Sequence, residues 1–195
     1  EIDENSYRGC INTIENESGE GYGMEFQHEL VIPDEGLPFK FFLFEGSQGN
    51  YVREKHWHTS VEIFAVMEGS LTFYLNDEKH PLKAGELMII NSNEVHSIDS
   101  PEENHTAVLQ IPLKQFEDYF TAHRFIRFAG SIPEMDGKLS KLVREMYKLY
   151  GKRGTGYEFK IRSFYYDVLY LLVNYYRLDE AGEQEVRHSR RLDAL

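Results

Sequence analysis

The sequence predicts a mostly β chain, an antiparallel sandwich or barrel over residues 1–111, followed by about three helices over residues 112–182. Two observations predict it. Short apolar runs of strand length recur at spacings near ten residues, with Gly, Asn and Asp between them, the pattern of antiparallel β folds. After Pro112 the apolar residues recur instead at three- and four-residue steps, the helical period.

The strands come in order. Phe39, Phe41, Phe42, Leu43 and Phe44 form one run, closed by Glu45-Gly46. Residues 61–67 form another, closed by Glu68-Gly69. Residues 71–75 follow and end at Asn76-Asp77; Leu87-Met88-Ile89-Ile90 ends at Asn91-Ser92-Asn93; residues 106–111 end at Pro112. Helices of ordinary length do not fit between such breakers. Residues 113–125 carry Phe116, Tyr119, Phe120 and His123 at helical steps, residues 130–137 read as a loop with Pro133, and residues 138–150 make a second, amphipathic helix. A third spans residues 157–178 and is nearly apolar over its second half. That is more apolar surface than one sandwich hides, so Phe164, Val168, Leu171, Leu172 and Tyr175 are expected at a homodimer contact. Residues 1–23 are a candidate arm over the barrel mouth or a first edge strand, and residues 183–195 read as a charged linker.

Composition narrows the function. Thirty-three Asp and Glu stand against 21 Lys and Arg, a net charge of −12, which argues against nucleic-acid binding by this chain alone. The single cysteine, Cys10, permits no internal disulfide and fits a reducing, cytoplasmic setting. No stretch has the roughly 20 apolar residues of a membrane span; the best, residues 164–178, contains Asp167, Asn174 and Arg177.

The chemistry concentrates around His56-Trp57-His58. Two residues apart on an extended chain, His56 and His58 point to one side, and Glu62 shares their parity. His96 lies past a later strand, where antiparallel pairing brings it within reach of the other three. His-x-His alone is a weak pattern. Three imidazoles and a carboxylate together suit a divalent transition ion, Zn, Ni, Fe or Mn, with positions left open for water or ligand. Phe64 shares that parity if no bulge intervenes, and Phe73 points inward in the next run if Leu71 does, so a ligand pocket of His56, His58, Glu62, Phe64, Phe73 and His96 is expected, an apolar floor under a few directed polar groups.

This segment resembles the cupin family. His56, His58, Glu62 and Gly69 match its first motif, with Gly49 one residue further out than usual; Gly85 and His96 match its second, whose Pro-x-Gly turn is replaced by Asn91-Ser92-Asn93. The resemblance implies a double-stranded β-helix, or jelly-roll, barrel with four metal-ligand positions intact. A narrower resemblance covers the whole chain. With His56-Trp57-His58 to Glu62-Ile63, then Gly85-Glu86-Leu87 to His96-Ser97, then helices and a charged tail, it looks like the ligand-sensing domain of AraC-type bacterial transcription regulators. This implies an effector-binding and dimerisation domain. The effector would be a sugar or sugar derivative in the barrel, and DNA would be contacted through helix-turn-helix units beyond residue 195. It also implies no catalytic residues and no enzymatic role, since an isolated cupin enzyme needs neither the helical extension nor the basic end at Arg187, Arg190 and Arg191. The alternative is a metal-dependent cupin enzyme, a sugar isomerase or a dioxygenase-like protein, working at the same ion.

Overall fold

The computed structural model describes residues 27–46, 51–120 and 125–178. The candidate arm and the charged linker lie outside the described residues.

Eight strands form one curled sheet: β1 (Gln27–His28), β2 (Lys40–Gly46), β3 (Tyr51–Trp57), β4 (Ser60–Leu75), β5 (Glu78–Lys83), β6 (Leu87–Ile90), β7 (His96–Ser100) and β8 (Asn104–Pro112). Their order is β1-β3-β7-β4-β8-β2, with β5 and β6 also paired to β4. The β1–β3 pair is parallel and the rest are antiparallel. Among the described residues this path does not return on itself. The expected closed barrel is thus a curled half-barrel, because β2 and β1 end the sheet at opposite edges.

The two runs expected around Gly69 are one strand. β4 continues for 16 residues and changes partners midway, from β8 and β6 to β5 and β7. Its register slips between Val66 and Glu68, and Gly69 sits at φ +72° with the Glu103 carbonyl only 2.1 Å from where a Cβ would stand. A side chain fits neither the space nor the dihedral. The slip also switches the inward parity: Glu62, Phe64 and Val66 face the inside before it, Leu71, Phe73 and Leu75 after it. At the far end Asn76 and Asp77, both at positive φ, close a two-residue hairpin into β5.

The described part of the helix expected over residues 113–125 is not α-helical. Leu113–Tyr119 is a 3₁₀ helix that buries Phe116. Nor does a loop fill 130–137. Pro133 opens α1 (Pro133–Lys152), where its missing N–H costs nothing. Asp136 turns back to accept from the Ile132 N–H (2.9 Å) and from the Tyr176 hydroxyl (2.7 Å). The third helix is α2 (Tyr157–Leu171), continued by a π-helical segment, Leu172–Tyr176.

Two apolar cores result. One, between the sheet and the helices, holds Ile63, Ala65, Ile89, Leu109, Leu139, Val143, Tyr165 and Val168. The other lies inside the curl and holds Phe64, Val66, Leu71, Phe73, Ile98 and Val108. No helix among the described residues is long and apolar enough to cross a membrane.

Candidate metal centre

The histidines meet at the polar end of the inner core. β3 pairs with β7 so that His56 stands opposite His96, and β7 with β4 so that His96 stands opposite Leu75. His58 follows the end of β3, and Glu62 lies four residues on, at the start of β4, opposite Gln110 of β8. His56, His58, Glu62, His96 and Gln110 are all at most 5% exposed. The His56 and His96 rings are 4.2 Å apart between centroids, those of His58 and His96 5.0 Å.

Each imidazole is fixed from behind. His56 Nδ1 lies 2.9 Å from the Glu54 carbonyl oxygen, and His96 Nδ1 lies 3.0 Å from that of Glu94. His58 Nδ1 faces the Ser60 carbonyl at 3.1 Å and the Ser60 hydroxyl at 3.0 Å. A carbonyl only accepts, so Nδ1 carries the proton in all three rings, and each neutral ring turns the Nε2 lone pair forward. The ligand atoms of the triad gather within 4.8 Å of one another. Such backbone anchoring is how metal-binding histidines are oriented.

Glu62 closes the group. Its Oε2 is 3.0 Å from His58 Nε2 and 3.3 Å from His96 Nε2, and its Oε1 accepts from Gln110 Nε2 at 2.8 Å. Lone pairs facing a carboxylate are acceptors facing an acceptor, and His96 Nε2, though buried, makes no hydrogen bond. Only a proton or a cation reconciles them. The electrostatics show the same tension. Burial alone would raise the Glu62 pKa, but His58 and His96 hold it well below the usual carboxylate range. Burial works against the His58 imidazolium, yet Glu62 outweighs it and raises that pKa. At His56 burial wins, aided by the charge of His96, and the pKa falls to about 4.

The donor set fits a divalent transition ion. Donors sharing an ion at bonds of about 2.0–2.2 Å lie about 3 to 4 Å apart, the spacing of Glu62 from His58 and His96. The triad is capable of coordinating such an ion. Three soft-to-borderline nitrogens and one oxygen select Zn, Ni, Fe or Mn over calcium.

Of the expected pocket residues, Phe64 and Phe73 lie edge to face at 4.4 Å, and Phe73 lies near-parallel to His96 at 6.3 Å. They form an apolar floor beneath the rings. A cleft of about 200 Å³ lined by Lys55, Tyr74, Asn76, Asp77, Val95 and His96 shares only His96 with the centre. The residues expected at a dimer contact divide. Val168, Leu171 and Leu172 are buried within the chain itself, Phe164 is half-buried, and Tyr175 is exposed. The helix turns Phe159, Tyr166 and Tyr170 outward instead.

Two residues of the site were not read from the sequence. Gln110 is the one polar residue within the apolar run 107–111, and that contrast was a usable signal. Glu29, beside β1, brings its carboxylate to 3.5 Å from His56 Nε2, and nothing in its sequence surroundings marks it.

The AraC-like ligand binding domain family matches this chain over residues 38–169. The chain belongs to that family. No curated protein matches it. Among solved structures, it is 28% identical to a cupin-2 domain containing protein from Shewanella frigidimarina, covering 41% of this chain and 76% of that one at a TM-score of 0.34. It is 25% identical to a predicted oxalate decarboxylase from Thermotoga maritima (39% and 69% covered, TM-score 0.36). With the oxalate decarboxylase of Bacillus subtilis it shares 21% identity over 43% of this chain and 22% of that one, at a TM-score of 0.34. Each overlap covers less than half of this chain.

One expectation drawn from the family resemblance falls here. His56, His58 and His96 form a triad able to hold a divalent transition ion, the group on which metal-dependent chemistry can run. The reading of the chain as a non-enzyme is therefore overturned by the site itself.

Proposed function

We propose that this domain holds a divalent transition ion on His56, His58, His96 and Glu62, and carries out metal-dependent chemistry of the cupin type on a small molecule bound beside it. The observation that carries this reading is the buried triad itself: the ligand atoms of His56, His58 and His96 lie within 4.8 Å of one another, each ring is locked by its Nδ1–H, and the Nε2 atoms of His58 and His96 are turned onto the buried Glu62 carboxylate. Bound there, the ion supplies Lewis acidity and open coordination positions. The chain does the rest. Ser60, Glu54 and Glu94 hold the rings in register, Gln110 orients Glu62, and Phe64 and Phe73 exclude water below. Sugars and sugar acids, as for a sugar isomerase or a dioxygenase-like cupin, are the first substrates to examine. The test is to load stripped protein with Co(II), then add candidate compounds while following the visible spectrum and product formation. A compound that changes the spectrum and is consumed, with both effects lost in His96→Ala, supports the reading. Consumption unchanged in that variant contradicts it.

A second reading rests on the family match: the same pocket senses an effector for an AraC-type regulator, with the domain dimerising and DNA contacted by a further module. One contact favours it. Asn91, at the turn leading to His96, clamps the Phe128 backbone through both its amide atoms (2.9 and 2.7 Å), and neighbouring Glu94 pairs with Arg127. That turn touches the centre on one side and the approach to the helices on the other. A compound that changes the spectrum but is not consumed, and that alters the dimer equilibrium, favours sensing.

A further inference from the structure

We infer that Glu29 is a second carboxylate donor of the metal centre, reaching it from outside the four motif positions; this rests on the metal reading above. Parallel pairing sets Gln27 beside His56 and His28 beside Trp57, and the Glu29 N–H donates to the Trp57 carbonyl at 2.9 Å. Strand alternation then gives Glu29 the face of His56 and His58. Its Oε2 stands 3.5 Å from His56 Nε2, in the same range as Glu62 from His58 and His96.

The histidines thus have a carboxylate on two sides, Glu62 fully inside and Glu29 toward solvent with 19% of its side chain exposed. One amide joins the two: Gln110 Nε2 donates to Glu62 Oε1 at 2.8 Å and to Glu29 Oε1 at 3.2 Å. Like charges drawn to one amide repel; Arg53 at 3.1 Å and Lys40 at 3.9 Å offset part of the charge on Glu29, and a divalent ion between the carboxylates offsets it further. His96 Nε2, buried and 3.3 Å from Glu62 Oε2, completes the ring of donor atoms on the inner side. Arg53, 3.1 Å from Glu29 Oε2, keeps the side chain poised when it is off the ion.

The consequence bears on ligand class. Five protein donors leave an octahedral ion one open position, enough for water or a single ligand atom. A chelating ligand, such as a vicinal diol or a hydroxy acid, must displace Glu29, which then rests on Arg53 and Gln110.

The test is titration of Mn(II) and Co(II) into metal-stripped wild type, Glu29→Gln and Glu29→Asp, with thermal melts to confirm folding. Wild type binds one ion. Glu29→Gln weakens it by about tenfold or more, the scale of a lost ligand or its support, and changes the Co(II) visible bands. Glu29→Asp keeps the charge but shortens the reach, and weakens binding too. Unchanged affinity and spectrum in Glu29→Gln overturn the inference. So does wild-type behaviour in Glu29→Asp, which reduces Glu29 to long-range charge. A wild type that binds no ion overturns the metal reading itself, and this inference with it.

Discussion

The two faces of the half-barrel are built from the same strands for opposite purposes. On the helix-facing side β4 contributes Val61, Ile63 and Ala65 to a dry core that α1 and α2 cover. On the inner side the alternate residues are Glu62, Phe64 and Val66, and the core ends in a buried cluster of ionisable groups. The first face spends its burial on stability. The second places a charge where, without a partner, burial costs several kcal/mol. A fold tolerates that when the cluster has another use, and here each member is held in one orientation by a separate hydrogen bond.

The comparison can be broken most sharply from the dry side. Leu139→Ala empties part of the core between α1 and the sheet, and is expected to cost about 2–5 kcal/mol while metal affinity in the folded fraction is unchanged. Denaturant unfolding beside metal titration checks both. Gly69→Ala strikes both faces at once, because β4 crosses from one set of partners to the other there. With the Glu103 carbonyl in the way, a loss above about 2 kcal/mol is expected, and metal binding falls with it. Asn91→Ala is milder. It removes the partners of the Phe128 N–H and carbonyl, at about 1–3 kcal/mol for groups left unpaired, and should loosen α1 and α2 before the strands in hydrogen exchange.

The smallest effect is that of pH on the stripped protein, and it arises only on the inner face. His56 has its pKa lowered from 6.5 to about 4, so the unfolded chain binds more protons between those values. Stability therefore falls as pH drops through that window. Glu62, held low by His58 and His96, acts in the same direction, its contribution lost as it protonates. His58 opposes them, since its raised pKa gives stability that is complete below 6.5 and lost as pH rises through the folded value. Melts on either side of the window, with chelator present, should show a net loss on the acid side that His56→Gln reduces.

These contrasts also explain what was legible in advance. His56, His58 and Glu62 share a face because of strand parity, a local property, and so could be read from spacing. His96 was reached from its place past a later strand, and the motif resemblance then matched it. The inward parity of Phe64 and Phe73 was readable because each half of β4 alternates cleanly, although the register slip between them was not. Gln110 and Glu29 are tertiary arrivals, brought by pairing of strands far apart in sequence. β5, with Pro81 inside it, was missed because proline argues against a strand, and only its place at the margin of the sheet accommodates it. Pro133 read as a loop residue because proline breaks helices everywhere except at their first turn. The apolar surplus of the third helix was real, but much of it packs on α1 and the sheet, with aromatic residues left outside.

The most direct test of the central claim is elemental analysis of protein prepared without an affinity tag and dialysed, beside the His58→Ala, Glu62→Ala double variant. The variant removes both partners of the buried pair and so leaves no lone charge behind. The account predicts a near-stoichiometric divalent transition metal in the wild type and none in the variant, with the helix-facing core still folded by circular dichroism. Wild-type protein that neither retains nor takes up such an ion, or a variant that binds it equally well, would contradict the account.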